Sequence, residues 1–352
     1  MNGRPKVKLI SHSYNSVVKD NFKDSGETEL HYWNLDRDSN SCLVRFKNTP
    51  IYCYTGLPQF FKNRNDKNEK IAWDPSLAIL VYKQIIKIMK NSGNAPTECE
   101  YNQKRVLYYY KGDQKVPMLK LSFKTMQAMN HYKNIIKSPM KIDDLGSINL
   151  TIMEENIDAV LRLNTEQKLG YSQWFEVEAV EVLNGDEDRV STEGGRDKNN
   201  KEYIADWKTI RPIKKEESIG WNTIPRKATI DIECRTPNYN QMTDPNRHDN
   251  DVYLISVIFS KKGYDDEKYL LSSVKMNDIK KSKLFNMDAE IIYADNEVEL
   301  IEKFAELIKY LSPEIIDGWN IYGFDFNYLR VRMAKKFGKF PSMSRLKPYF
   351  QN

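Results

Sequence analysis

The chain has 352 residues, 40% hydrophobic and 12% aromatic, which is enough for two ordinary domains with real cores. Its 54 Lys and Arg against 49 Asp and Glu leave a formal charge of +5, too mild by itself to specify a nucleic-acid partner. Four cysteines without a CxxC pair and four histidines without zinc-ligand spacing argue against a disulfide framework or structural zinc. No run reaches the roughly 18 apolar residues of a membrane span, and the opening "MNGRPKVKLISHSYN" lacks a signal-peptide core. An intracellular protein with reduced, buried cysteines, neither secreted nor membrane-bound, is the expectation.

Residues 29–54 read as three short strands split by polar turns. In "SLAILVYKQIIKIMKNSG", Leu77, Leu80, Tyr82, Ile85, Ile86 and Ile88 recur at helical spacing before Gly93. Another strand and helix follow in "RVLYYYKGDQKVPMLKLSF" and "KTMQAMNHYKNIIKSP". The aromatics and bases of "RVLYYYKGDQK" resemble a single-strand-binding surface, but the strand preference of tyrosine makes an ordinary strand the better reading. Residues 183–203, "LNGDEDRVSTEGGRDKNNKEY", are nearly all polar and predict an exposed insertion. A boundary after it divides the chain into residues 1–205 and 206–352.

The second part opens with three strand candidates in succession, "KATIDIEC", "DVYLISVIFS" and "EKYLLSSV". An amphipathic helix follows, with Asn296 and Glu299 spaced as a capping box and Val298, Ile301, Phe304, Ile308 and Leu311 along one face. A fourth strand, "EIIDG", leads to a last helix, "FNYLRVRMAKKFG". Strands, helix and strand in this order suggest an α/β domain of ribonuclease-H-like type after an α+β first part.

Alternation along "KATIDIEC" puts Asp231 and Glu233 on one face and Ile230 and Ile232 on the other. Two carboxylates so placed repel unless a cation sits between them or water surrounds them. In "PEIIDGWNIYGFDFNYL", Asp325 falls where a loop becomes a helix, a position whose backbone N–H groups and dipole favour an anion. If the two strands are neighbours, the three acids converge into the oxygen-ligand site that Mg²⁺ or Mn²⁺ prefers, suited to two-metal phosphodiester hydrolysis. Asn320 is placed to hydrogen-bond a sugar or base, and Phe324 or Tyr322 to stack on one.

"ATIDIEC" and "GWNIYGFDFNYL" resemble the first and second exonuclease motifs of the family B DNA polymerases, in particular the delta-like and large-DNA-virus members. The segments "YCYTGLP", "VPMLKLSFKTMQAMNHY" and "TIMEENIDAVLRLNTEQKLGYSQWFEV" extend the resemblance over most of the chain, although only the two motifs are specific. The resemblance implies a polymerase-type N-terminal domain (1–205) and a 3′→5′ exonuclease domain (206–352) of a proofreading, DNA-directed DNA polymerase acting in replication. It implies metal ligation by Asp231, Glu233 and Asp325 and contact with the 3′ nucleotide by Asn320 and Phe324. Its expected partners are the DNA primer end, the rest of the polymerase polypeptide and a sliding clamp, at a nuclear or cytoplasmic replication site, including that of a virus-infected cell.

Ile230, Trp319 and Asn327 depart from the residues common in that family, and leave the three acids intact. The family completes its nuclease site with a later acid, four residues after a Tyr, whereas beyond Asp325 this sequence has Lys and Arg but no Asp or Glu. A fragment ending after the second motif, incomplete at its C-terminus and weak or inactive alone as a nuclease, is therefore expected. Two other readings remain at this point: a non-catalytic nucleic-acid-binding or assembly subunit with a nuclease-like fold, and a free-standing nuclease that recruits Asp295 or Asp317.

Overall fold

The computed structural model describes residues 6–21, 27–62, 70–90, 93–105, 112–142, 145–198, 200–238, 240–275 and 288–347. By its internal contacts the chain divides into two compact units, one of residues 1–34, 44–181 and 203–218, the other of residues 35–43, 182–202 and 219–352.

In the first unit, strands Tyr52–Gly56, Glu98–Arg105, Lys115–Ser122 and Thr151–Met153 form a four-stranded sheet. The helices Pro75–Met89 and Met126–Ile135 contribute to a core in which Ile85, Met89, Met129 and Tyr132 meet Cys53, Leu119 and Leu121. Asp74 and Thr125 cap these helices by accepting hydrogen bonds from Leu77 N and Ala128 N, satisfying donors that have no partner within the helix. A second sheet includes Val7–Asn21, whose first residues pair antiparallel with Trp174–Val182. Within this unit Glu29 is buried against Arg45, which donates to it from Nε at 2.8 Å and Nη2 at 3.1 Å. Residues 106–111, the centre of the mixed aromatic and basic stretch, lie outside the described residues.

The second unit is built on a sheet in which strands β1 (Lys227–Cys234), β2 (Val252–Ser260) and β3 (Glu267–Ser272) form an antiparallel meander. Strand β4 (Glu290–Tyr293), which the sequence reading did not anticipate, joins parallel to β3. Helix α1 (Glu297–Leu311) follows, then β5 (Ile315–Asp317), parallel to β1, and helix α2 (Asp325–Phe337). The sheet order is β4-β3-β2-β1-β5.

Alternation decides which face of this sheet is covered. Ala228, Ile230 and Ile232 of β1 join Ile255 and Val257 of β2 in a core with Phe304 and Ile308 of α1 and Tyr328 and Leu329 of α2. Each such buried aliphatic or aromatic side chain contributes about 1.5–3 kcal/mol. The opposite pleats of β1 leave Asp231 and Glu233 exposed. Helix α1 starts at Asn296, whose Oδ1 accepts from Val298 N and Glu299 N. The Glu299 carboxylate closes the cap by accepting from Asp295 N at 2.7 Å, one residue upstream of the expected reciprocal partner.

The expectation of an exposed polar insertion at residues 183–203 holds only in part: Leu183, Asn184, Gly185, Glu187, Glu193, Asp197, Lys198 and Lys201 are exposed, but other residues of the segment are not. Arg189, Val190, Ser191, Asn200 and Glu202 are all buried. The Arg189 guanidinium donates to the carbonyls of Val182, Ser191, Thr192 and Asn200, and the Glu202 carboxylate accepts from Val190 N and Ser191 N. Here the segment is ordered in large part by saturating buried backbone groups, alongside the buried Val190 and Tyr203. The expectation for the cysteines holds in part: all four are free thiols, Cys42 and Cys53 are buried, and Cys99 and Cys234 only half-buried.

Candidate active site

The site is assembled where β1 and β5 run side by side. Ahead of both strands, the Glu314 side chain is 0% exposed and accepts from the Arg226 guanidinium, at 3.0 Å from Nε, and from Arg345 Nη2 at 2.8 Å. The Arg226 carbonyl in turn accepts from Glu314 N and Ile315 N at 2.9 and 3.1 Å. This clamp fixes the register in which Thr229 lies beside Asp317. The Thr229 hydroxyl donates to Asp317 Oδ1 at 2.6 Å, and Lys227 Nζ lies 3.4 Å from the other oxygen.

From Asp317 the chain turns back over β1. A Cβ on Gly318 would stand 2.4 Å from the Ile230 carbonyl oxygen, so glycine alone permits this approach. Asn320 adopts φ 53°, a left-handed conformation that asparagine tolerates better than most residues. Hydrogen bonds from Phe324 N to Asn320 O and from Phe326 N to Ile321 O, each 2.9 Å, close the turn, and Ile321 anchors it in the core. Trp319, Asn320 and Tyr322 are left facing outward.

The turn delivers Asp325 to the first position of α2, where the helix N-terminus favours its charge. Asp325 is buried, and its Oδ1 accepts from Ile232 N at 3.2 Å. Burial, joined by the repulsion of the Asp231 carboxylate, raises Asp325 above the usual carboxylate range, against the opposing pull of its backbone hydrogen bonds. Asp231 and Glu233 are exposed and form no ion pair among the described residues. The structure therefore draws Asp325 to Asp231, with Glu233 one pleat further along the same strand face. Among the described residues no group of three or more His, Cys, Asp or Glu is gathered closely enough to hold a metal. The donor set, carboxylate oxygens with no ion-pair partner among the described residues, nevertheless fits Mg²⁺ or Mn²⁺ in its chemistry.

Of the other residues singled out, Phe324 is half-buried against the core, its ring centroid 5.3 Å from that of Tyr328, while Tyr322 is 81% exposed with Phe326 at 6.1 Å. Asp317 is engaged by Thr229 and Lys227, and Asp295 lies at the start of α1 beside the Glu299 cap. Residue-by-residue reading passed over Gly318 and the Thr229 and Asp317 pair. The "DGWN" turn that contains both Asp317 and Gly318 was the available signal.

An antiparallel meander with a parallel strand on each edge, and helices packed on the sheet face opposite Asp231 and Glu233, defines an exonuclease-like α/β domain. The chain belongs to DNA polymerase family B, whose exonuclease-domain model matches residues 150–352. It is similar to DNA polymerase 120R of Invertebrate iridescent virus 3, 23% identical over 95% of this chain and 29% of that protein. It is also similar to the DNA polymerase delta catalytic subunit of Drosophila melanogaster, 22% identical over 90% of this chain and 28% of that one. Among solved structures, the family B DNA polymerase of Pyrobaculum calidifontis shares the fold with a TM-score of 0.57 at 17% identity, over 94% of this chain and 33% of that chain. The chain thus spans about a third or less of the length of these relatives. Among the described residues no helix is long and apolar enough to cross a membrane.

Proposed function

We propose that the chain supplies the N-terminal domain (residues 1–205) and the 3′→5′ exonuclease domain (residues 206–352) of a replicative DNA-directed DNA polymerase, and that Asp231, Glu233 and Asp325 serve its proofreading site. The observation that carries this reading is the buried Asp325 held against the strand that bears Asp231, with two like charges and, among the described residues, no cation paired to either. Such a pair gains stability from a divalent ion and loses it without one. A Mg²⁺ or Mn²⁺ ion bound there would supply Lewis-acid chemistry, activating a water and stabilising the leaving oxygen. Asp231 and Asp325 would hold the cation, and Glu233 would add a further anionic oxygen. Asn320 offers its amide to the sugar or base of the 3′ nucleotide, from a turn that core packing keeps in place. DNA, the remaining polymerase polypeptide and a sliding clamp are the partners of this activity, within an intracellular replication site.

Calorimetric titration with Mn²⁺ tests the assignment. Saturable binding is expected in the wild-type chain and is lost in Asp231→Asn and Asp325→Asn, with both variants still folded by circular dichroism. Binding that persists unchanged in both variants would overturn it.

A further inference from the structure

Helix α2 is fastened by one buried polar stripe. Asp325, Tyr328 and Arg332 stand at i, i+3 and i+7, so they share one face of the helix, and all three are buried. Asp325 Oδ1 accepts from Ile232 N at 3.2 Å, beyond the stretch of β1 that pairs with β5, so a side chain holds that N–H in place of a strand. The Tyr328 hydroxyl donates to the Asn250 carbonyl, 2.7 Å away, in the loop that joins β1 to β2. Arg332 makes the widest set of bonds. Its Nε and Nη2 donate to the two carboxylate oxygens of Glu297, each at 2.7 Å, in the first turn of α1. Its Nη1 donates to the carbonyls of Pro245 and Arg247 in the same loop. Glu297 also accepts from Val252 N at 2.8 Å, at the start of β2, and from Lys336. Burial raises the Glu297 carboxyl, but the hydrogen bonds from Arg332, Lys336 and Val252 N outweigh it and hold it below the usual carboxylate range, so the pair is charged at neutral pH.

Both side chains of this pair are only 3% exposed. A buried ion pair adds little net stability over apolar side chains of the same volume, because desolvation offsets most of the attraction. What the planar, bidentate guanidinium adds is geometry. It fixes both the rotation and the axial position of α2, since a slip of one turn, about 5.4 Å, breaks every contact of the stripe at once. We propose that Arg332 and Glu297 are positioning residues for the carboxylate site: by locking α2 to α1 and to the loop between β1 and β2, they set where Asp325 meets β1. They act through Asp325, two turns away on the same helix face. The proposal rests on the exonuclease reading and adds to that site the pair that keeps its helix-borne acid in register with its strand-borne ones.

The test is hydrogen exchange of the Ile232 amide, read by NMR on the full chain without metal, because that N–H is held by Asp325. Arg332→Lys keeps a charge opposite Glu297 and loses the fork. It should speed exchange at Ile232 about 10-fold and leave the β3 amide of Leu271 unchanged. Calorimetry should show Mn²⁺ binding weakened about 10-fold. Glu297→Gln, which keeps an oxygen for Val252 N, should act in the same direction, so a variant that fails to fold does not remove the test. In an Asp325→Ala background the acceptor is gone, and Arg332→Lys should have no further effect at Ile232. That non-additivity is a readout that a merely structural role would not move. Equal acceleration at Ile232 and Leu271, wild-type protection of Ile232 in both variants, or Mn²⁺ affinity unchanged in both overturns the proposal. Selective loss of protection at Ile232, in a chain whose wild type binds no Mn²⁺, upholds the positioning of Asp325 and overturns the exonuclease reading instead.

Discussion

Asp325 reaches across from helix α2 and accepts a hydrogen bond from the backbone N–H of Ile232, the residue between Asp231 and Glu233. A carboxylate from a distant part of the chain is thereby fixed against the strand that bears Asp231 and Glu233. Because burial and Asp231 raise the Asp325 carboxyl, its ionised form opposes folding at neutral pH. Asp325→Asn keeps an oxygen to accept from Ile232 N and removes the charge. It should raise the stability of the metal-free chain by about 0.5–2 kcal/mol, in the manner of stability exchanged for function. Thermal melts with and without Mn²⁺ check this: the wild type should gain stability on adding the ion, and the variant should not.

Glu314 has no exposed side-chain surface and is shared by Arg226 and Arg345. Glu314→Ala takes away the carboxylate shared by two largely buried guanidinium groups, leaving Arg226 with Asp197 at 3.6 Å and Arg345 with Ser41 and Ser312, and should cost about 3–5 kcal/mol in chemical denaturation. Since the clamp sets the register of β5 against β1, a variant that still folds should also bind Mn²⁺ more weakly. Full Mn²⁺ affinity in a folded Glu314→Ala protein would show that the clamp does not position the site.

Gly318→Ala places a methyl 2.4 Å from the Ile230 carbonyl oxygen, a backbone atom that cannot yield without moving β1. The turn must shift outward instead, carrying Trp319 and Asn320 with it. A displacement of about 1 Å is enough to cost on the order of 100-fold in a positioned reaction. Loss of oligonucleotide binding with only modest loss of stability is the expected result, read by anisotropy and by melting.

The Glu29 carboxyl in the first unit is raised by burial, but the hydrogen bonds from His31 and Arg45 outweigh this and lower it from 4.5 to about 2. A lowered carboxyl contributes stability above its unfolded pKa and loses it as pH falls through the folded value. Stability should therefore decline between about pH 4.5 and 2, by on the order of 3 kcal/mol for this group. Glu29→Gln should flatten the acid limb of denaturation curves measured across that window while lowering stability at neutral pH.

Much of the second unit was legible because its elements are locally determined. Two-residue alternation in "KATIDIEC" separated the buried isoleucines from the exposed acids, and the face of α1 followed from helical spacing closed by an Asn cap. Strand β4 was missed because "EIIY" is short, with Glu and Tyr exposed at its ends and only half-buried isoleucines between them. The buried part of residues 183–203 was not foreseen because polar composition signals exposure only when polar groups lack partners in the fold. Arg189 and Glu202 find theirs in backbone carbonyls and amides that no sequence pattern advertises.

The sequence by itself determined the chemistry on offer: which acids exist, that two of them share a strand face, and that a third opens a helix. Tertiary structure decided which of them meet. The parallel pairing of β1 with β5, the Glu314 clamp and the close approach of Gly318 are contacts between residues far apart in the chain. They bring Asp325 to Ile232 and Asp231, engage Asp317 with Thr229 and Lys227, turn Phe324 toward the core and leave Trp319 in solvent. Side-chain chemistry is a local property of sequence, whereas proximity and burial, which set charge repulsion and pKa, arise only when distant segments pack.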